Sequence, residues 1–409
     1  MKNNFRIKFS RSFGLILLII GLVLNQYVLQ GIFTDDNEIH SSIHVAIIWI
    51  FDSICIIVGA IIIFKKGILF SIKIKDFVFT IIIFFIFLFI LEIGMRIFFQ
   101  FKYSYNQDQM DYEDKLGWQT KPNKSVKYHI NGYGEITYTT TENGFRVYGD
   151  PRTSKTKIFV LGDSFTHANS VSDDSTYYDY LENNNDDIEI FSYGGGGYGS
   201  LQEYLVLDMF FDDIKPDIIL WQFSTNDWIN NDHTLESLSY SNNNKMTRPY
   251  LIDGKIEYKY PKVKGGIIYD MLSSFFIFRM IDIRFSILIA KQREARLARG
   301  ESIESSLHIG HPLFINAFNT TSKIFDMIKN RIGDVPIVLF SVDNNFFYDS
   351  IRELCIEKNI KFIDGVPEKI KEASKDGIRI NGLPYDSHWN AKGHEIAGKV
   401  ILKFLNTLL

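Results

Sequence analysis

The segment Lys157 to Thr166 reads KIFVLGDSFT: four consecutive apolar residues, Ile158 to Leu161, then Gly162, then Asp163 and Ser164. A short run that is apolar throughout fits a strand covered on both faces, and such strands belong to parallel sheets packed between helices. Further runs of this kind lie at Glu189 to Tyr193, Asp217 to Phe223, Val335 to Ser341 and Lys361 to Ile363, with helical patterns between them and a last helix from about Ala391 to Leu408. The pattern predicts an α/β domain with a five-stranded parallel sheet and helices on both faces. Ligands of such sheets sit beyond the carboxyl ends of the strands, where Ser164 falls. A Gly-Asp-Ser triplet alone is equally what a strand end and a capped helix require, so the downstream pieces matter.

Three follow in order. The second apolar run leads into Gly194 to Gly197, Tyr198 and Gly199; the third leads into Ser224-Thr225-Asn226-Asp227; near the end stands Tyr385-Asp386-Ser387-His388-Trp389-Asn390. With GDSF, GGGGYGSLQ, STND and DSHWNAKGH all present in this order, the chain resembles the SGNH, or GDSL-like, hydrolases from about Leu116 onward. LGWQTKPN and TENGFR further resemble the lead-in of a membrane-attached bacterial subgroup. The resemblance implies a three-layer flavodoxin-like fold with strand order 2-1-3-4-5 and a site at the switch between the first and third strands.

The residues also carry the chemistry on their own terms. A serine hydroxyl is a weak nucleophile at neutral pH, so His388 is expected to take the Ser164 proton and return it to the leaving group, with Asp386 orienting the imidazole. The tetrahedral oxyanion needs donors, for which the Ser164 N–H, a glycine-block N–H and the Asn226 side chain are candidates. The resemblance implies Gly197 as the glycine donor, since the family's glycine block aligns there by counting back from Gln202, and the run of four glycines also admits Gly194. Only Ser387 separates Asp386 from His388, a shorter spacing than is common in the family. This D-x-H-W arrangement resembles the alginate O-acetyltransferase relatives and keeps acyl transfer in view. Gly194, Gly196 and Gly199 formally satisfy a dinucleotide fingerprint, but a glycine run does so trivially and here follows the second strand. There is no G-x-S-x-G elbow and no Walker lysine. His308 and His311 lack a nearby third ligand, and His394 reads as structural, so neither metal nor cofactor is expected.

The N-terminal region is of a different kind. Three apolar stretches, 13–33, 45–64 and 77–99, each reach the roughly 20 residues that span a bilayer as helix. Lys2, Arg6, Lys8 and Arg11 precede the first, and Lys65, Lys66, Lys73 and Lys75 follow the second, whereas the loop between them carries Asp35, Asp36 and Glu38. Positive charge on the cytoplasmic side predicts a cytoplasmic N-terminus and, after three spans, an extracytoplasmic remainder. Glu92 and Arg96 are one turn apart and are expected to pair.

The domains expected are a membrane anchor over 1–100, a small β-rich lead-in over 101–152, and the hydrolase domain over 153–409 with an insertion at about 228–312. The lead-in alternates around Asn131-Gly132, with Arg146 expected to tie it to the domain. The insertion is expected to hold a hairpin turning at Asp253-Gly254 and an amphipathic helix from about 268 to 299. Cys55 and Cys355 suggest no disulfide, and a net charge of -4 with scattered basic residues gives no nucleic-acid footprint.

The expected function is a membrane-anchored serine esterase removing O-acyl groups, in the first place O-acetyl, from an extracytoplasmic substrate such as a surface glycan or an acylated small molecule. The alternatives are O-acetyltransfer to an envelope polysaccharide, which would bring in a membrane acyl-donor partner, and a non-catalytic glycan-binding or assembly module.

Overall fold

The computed structural model describes residues 4–9, 11–33, 42–65, 68–102, 110–130, 133–239, 242, 244, 246–259, 275, 278, 306–343, 345, 347–382 and 387–409. The chain divides into two compact units, one built on Met1–Phe101 and one on Lys102–Lys264 with Arg293–Leu409.

In the first unit, β1 (Asn4–Phe9) leads into helices α1 (Arg11–Val23), α2 (Gln26–Phe33) and α3 (Ser42–Phe64), followed by β2 (Ile68–Lys73) and α4 (Ile74–Lys102). β1 and β2 pair antiparallel. α1 meets α3 through glycine: a Cβ added to Gly14 would stand 2.8 Å from the Gly59 carbonyl, and one on Gly21 2.8 Å from the Asp52 carbonyl. Small residues let two backbones approach this closely, as in helix pairs that associate within lipid. Leu15, Ile16 and Ile19 of α1 and Ile50, Ile54 and Ile57 of α3 stand exposed on the outer faces. Asp52, which the sequence reading did not single out, is buried, and its Oδ1 has no partner among the described residues.

Of the three expected spans, one stretch among the described residues, Val45–Phe64, is long and apolar enough to cross a membrane. The first expected span is divided into α1 and α2 at Asn25. Its amide donates to the Leu22 carbonyl at 2.8 Å, and its Oδ1 accepts from Tyr27 and Val28 N–H at 3.0 and 3.2 Å. A carboxamide placed so caps the following helix, which explains why an apolar stretch long enough for one helix forms two. The third expected span lies inside α4, where Ile82–Gly94 is the apolar stretch among the described residues. Arg96 Nε and Glu92 Oε1 pair there at 2.6 Å.

The second unit opens with two hairpins, β3 (Met110–Glu113) with β4 (Gly117–Thr120) and β5 (Ser125–Ile130) with β6 (Gly134–Thr139). The alternation in sequence anticipated only the second. Then come β7 (Val147–Tyr148), β8 (Thr156–Gly162), α5 (Ser164–His167), α6 (Tyr177–Asn183), β9 (Ile188–Gly194), α7 (Ser200–Ile214), β10 (Ile218–Phe223), α8 (Thr225–Asn230) and α9 (His233–Leu238). The hairpin β11 (Arg248–Ile252) and β12 (Lys255–Lys259) turns at Asp253-Gly254, both at positive φ. α10 (Pro312–Ile332), β13 (Ile337–Ser341), α11 (Phe347–Glu357), β14 (Lys361–Ile363), α12 (Val366–Lys375) and α13 (Ala391–Leu405) complete the unit. The helix expected from about 268 to 299 lies almost wholly outside the described residues.

The sheet runs β14-β13-β10-β8-β9-β7. Its five long-range parallel strands keep the order 2-1-3-4-5. The sheet has a sixth strand that was not expected: β7 pairs antiparallel with β9 at the edge. Two residues are too few to show a period, and the flanking bonds from Arg146 N to Ser192 O (3.0 Å) and Gly149 N to Ile190 O (3.1 Å) hold the segment there. Side chains alternate between two cores. Phe159, Leu161, Trp221 and Leu339 pack towards Leu207, Phe325 and Leu354 on one face. Ile158, Val160, Leu220 and Val338 pack towards Leu181, Ile370 and Ile401 on the other. Covered twice, each strand must be apolar at successive positions, which is why the runs show no alternation.

Candidate active site

β8 ends at Gly162, where a Cβ would stand 2.3 Å from Thr166 Oγ1, so the close approach of the next turn requires glycine. Asp163 caps the single turn of α5 by accepting from the Phe165 N–H at 2.9 Å, and its own N–H donates to Gln222 Oε1 at 3.0 Å. Fixed on both sides, the turn leaves Ser164 only partly buried at the carboxyl end of the first parallel strand.

His388 arrives from the loop before α13. Its Nε2 lies 2.7 Å from Ser164 Oγ. Phe165 packs against the imidazole with ring centroids 5.0 Å apart and also meets Trp389 at 5.0 Å. The Asn390 N–H donates to the Ile380 carbonyl at 2.7 Å, while its Oδ1 caps α13. Tyr133 of the lead-in donates to the His388 carbonyl at 3.2 Å. The sequence thus brings Ser164 and His388 together from opposite ends of the domain. Asp386 lies outside the described residues.

The glycine block follows β9, whose Gly194 is in register with Gly162. A Cβ on Gly194 would stand 2.2 Å from the His167 nitrogen, so this glycine is required by packing against the nucleophile turn. The Gly195 N–H donates to the Gly162 carbonyl (3.2 Å) and the Tyr198 N–H to the Gly195 carbonyl (3.0 Å). Among the described residues no acceptor engages the N–H groups of Gly196 and Gly197. Gly197 sits at φ +72°, in the left-handed region. Asn226, in the first turn of α8, accepts from Ser224 Oγ, and its Nδ2 donates to Asn230 Oδ1 at 3.2 Å and weakly to the Tyr198 carbonyl at 3.5 Å. Ser224 Oγ also lies 2.9 Å from Asp163 Oδ2, which links the nucleophile turn to the asparagine turn.

Beneath the site three carboxyls are buried. Burial pushes Asp163 upward against the hydrogen bonds it accepts from the Phe165 N–H and Ser224. Glu203 and Asp227 are pushed well above the usual carboxylate range, first by burial and then by their acidic neighbours. Two histidines are held neutral. Burial, with the Arg146 charge behind it, lowers both His167 and His394 to about 3. His167 Nε2 meets the Tyr138 hydroxyl at 2.8 Å, and His394 Nδ1 accepts from the Tyr177 N–H at 3.2 Å, the structural part expected of it.

Arg146 ties the lead-in to the domain. It donates to the carbonyls of His167 (2.7 Å) and Ala168 (2.9 Å) and pairs with Asp173 at 2.7 Å. It therefore fixes the segment just after Ser164. His308 and His311 serve local turns, with His311 Nδ1 capping α10 through the Leu313 N–H at 3.2 Å. Among the described residues no group of three or more metal-ligating side chains forms.

Sequence reasoning missed the polar support of the glycine block. Trp118 Nε1 donates to the Gly196 carbonyl at 3.0 Å, Thr120 Oγ1 to the Gly194 carbonyl at 2.8 Å, and Gln202 Nε2 to the Leu116 carbonyl at 2.7 Å. Arg248, fully buried in the insertion, pairs with Glu236 at 2.9 Å and donates to the Gly197 carbonyl. The one signal available was the lead-in motif around Trp118; nothing in sequence pointed from Arg248 to the loop.

No protein-family profile matches the chain, and no curated protein sequence matches it. Several solved structures are similar in part. A member of the lipolytic G-D-S-L family from Veillonella parvula is 11% identical, aligned over 61% of this chain and 98% of its own, with a TM-score of 0.35. A lipase/acylhydrolase from Enterococcus faecalis is 13% identical over 62% of this chain and 96% of its own, with a TM-score of 0.34. A two-domain esterase active on acetylated mannans is 13% identical over 62% of this chain and 50% of its own, with a TM-score of 0.35.

Proposed function

We propose that the chain is a membrane-anchored SGNH-type serine esterase that removes O-acyl groups from an extracytoplasmic substrate. The observation that carries this reading is the 2.7 Å contact of Ser164 Oγ with His388 Nε2 beside the end of β9 and its glycine loop. In the reaction, Nε2 takes the hydroxyl proton as Oγ attacks the ester carbonyl. The oxyanion is received by backbone N–H groups of the Ser164 turn and of Gly197, and the Asn226 amide is assigned as a third donor, which it becomes on leaving Asn230 Oδ1. Collapse breaks the ester C–O bond, the imidazolium gives its proton to the departing alcohol, and an acyl-Ser164 intermediate remains. Water then attacks with Nε2 again as base, releasing the carboxylic acid and the serine. Asp386 is assigned to the Nδ1 side of His388, where it would hold the tautomer with Nε2 free.

The acetylated surface glycan is proposed from the family resemblance and the location. The location rests on the charge asymmetry of the N-terminal region together with the glycine-lined, apolar-faced α1/α3 pair. We assign the anchor to the three stretches expected, with the first one bent at Asn25, and the second unit to the outside. O-acetyltransfer stays a second reading because of the Asp386-Ser387-His388-Trp389 arrangement: a sugar hydroxyl in place of water would resolve the same acyl-enzyme. Incubating the purified full-length protein in detergent with an aryl acetate, with and without an oligosaccharide acceptor, tests both. Free acetate in both arms is the expected outcome, acetylated sugar would select the transferase reading, and no turnover with any ester would contradict both.

A further inference from the structure

The glycine block is held in a way that its own residues do not explain. In a trans peptide the carbonyl of one residue and the N–H of the next point in opposite directions within one plane. The Gly196 carbonyl and the Gly197 N–H share such a plane. Trp118 Nε1 donates to that carbonyl at 3.0 Å, and among the described residues nothing engages the N–H on the other side. A peptide flanked by glycines turns over at little cost, because both conformational signs are open to it. What fixes this one lies outside the glycine block.

Trp118 is itself immobilised. Its side chain is 1% exposed, its carbonyl accepts from the Tyr198 hydroxyl at 2.6 Å, and its ring meets the Tyr198 ring edge-on at 5.8 Å. The Arg248 guanidinium lies over the indole at 4.9 Å and is anchored by Glu236. Arg248 and Asn244 (3.1 Å) also bind the Gly197 carbonyl, so the peptide that follows is fixed as well. Gly117, at φ +83° and with a Cβ position 2.1 Å from the Thr247 carbonyl, lets β4 run close enough to bring the indole in.

We propose that Trp118 is a positioning residue for the esterase reaction: by holding the Gly196 carbonyl, its indole N–H turns the Gly197 N–H towards the oxyanion. This rests on the acyl-enzyme reading above. A donor that is already oriented costs nothing to reorganise as charge develops, and losing one outright typically lowers kcat by about 10²- to 10³-fold. A donor merely released from its hold loses part of this.

The test uses full-length protein in detergent with an aryl acetate and a trifluoromethyl ketone that forms a tetrahedral adduct on serine. Trp118→Phe keeps a ring beneath Arg248 and removes the N–H; replacing Trp118 by benzothienylalanine keeps the whole shape and removes the same N–H. Tyr258→Phe is the control, since it deletes a bond of 2.7 Å to the Lys115 carbonyl in the turn that leads into the same strand, away from the glycine block. For both Trp118 replacements kcat is expected to fall about 10- to 100-fold with KM within about twofold, and ketone affinity is expected to fall in parallel. Tyr258→Phe is expected to leave kcat within about threefold. The inference is overturned if benzothienylalanine leaves kcat and ketone affinity unchanged, or if Tyr258→Phe lowers them as much. If the wild-type chain forms no acyl-enzyme on Ser164, the esterase reading itself has failed, and that outcome is separate from either of these.

Discussion

In the α1/α3 pair, Gly14, Gly21 and Gly59 lie at the contact while Leu15, Ile16, Ile19, Ile50, Ile54 and Ile57 face outward; in the sheet of the second unit, isoleucine and phenylalanine lie inside. On the proposed membrane anchoring, one chain uses two opposite rules of burial. In water the gain comes from removing apolar area, about 25 cal/mol per Å², so a soluble core fills with large side chains. In lipid an apolar surface has nothing to gain by association, and close backbone contact decides instead. Both units also bury a carboxyl oxygen without a partner among the described residues, Asp52 Oδ1 in the first and Glu203 Oε1 in the second.

The comparison predicts that chemistry is confined to the second unit. Ser164→Ala and His388→Ala should each lower kcat by about 10⁴-fold or more while the protein stays in the membrane fraction. Asp386→Asn should cost about 10⁴-fold, and joining it to His388→Ala should add little, because such groups act as a unit. If Asp386→Asn keeps near-normal turnover while His388→Ala does not, the site is a Ser-His dyad and another group orients the imidazole.

A second prediction sets two exposed isoleucines against each other. Ile54 on α3 is 55% exposed and Ile356 on α11 is 73% exposed. Ile54→Lys should impair membrane insertion by about 2.5–3.5 kcal/mol, measured in a glycosylation-reporter insertion assay, because a lysine would face hydrocarbon. Ile356→Lys should change stability by no more than about 0.5 kcal/mol, measured by chemical denaturation. Equal tolerance at the two positions would remove the distinction between the two burial rules.

The smallest effect concerns pH. His167 and His394 titrate near 3 in the folded chain and near 6.5 unfolded, so the unfolded state binds more protons between these values. Their contribution is full above about pH 6.5 and is lost as pH falls towards 3, by at most about 1.4 kcal/mol per pH unit for each. The raised carboxyls Asp163, Asp227 and Glu203 act in the opposite sense: their contribution is full below the normal carboxylate range and is lost as pH rises above it, because the unfolded chain ionises first. His167→Gln should therefore flatten the loss of stability between pH 6.5 and 5, followed by denaturant midpoints. An unchanged slope would contradict the buried neutral imidazole.

What the sequence disclosed follows from how local each signal is. Buried strands such as Ile158–Leu161 announce themselves, since coverage on both faces forces successive apolar residues. Ser164 and His388, which the fold brings into contact, were legible because Ser164 sits directly after such a run and His388 stands in a motif of its own. β7 was not, because two residues carry no period. The break at Asn25 was not, because a cap is decided by where one carboxamide points. Arg248 and Trp118 reach the glycine loop from 51 and 78 residues away in sequence, and packing contacts over such separations leave no local trace.

The most direct test of the central claim is to trap the acyl-enzyme. Full-length protein in detergent, mixed with an aryl acetate and quenched in acid during turnover, is digested and its peptides are weighed. The account expects one acetyl group on the peptide bearing Ser164, absent in Ser164→Ala together with the activity. Sustained ester turnover with no acyl group on Ser164, or a Ser164→Ala variant that keeps the wild-type rate, would contradict it.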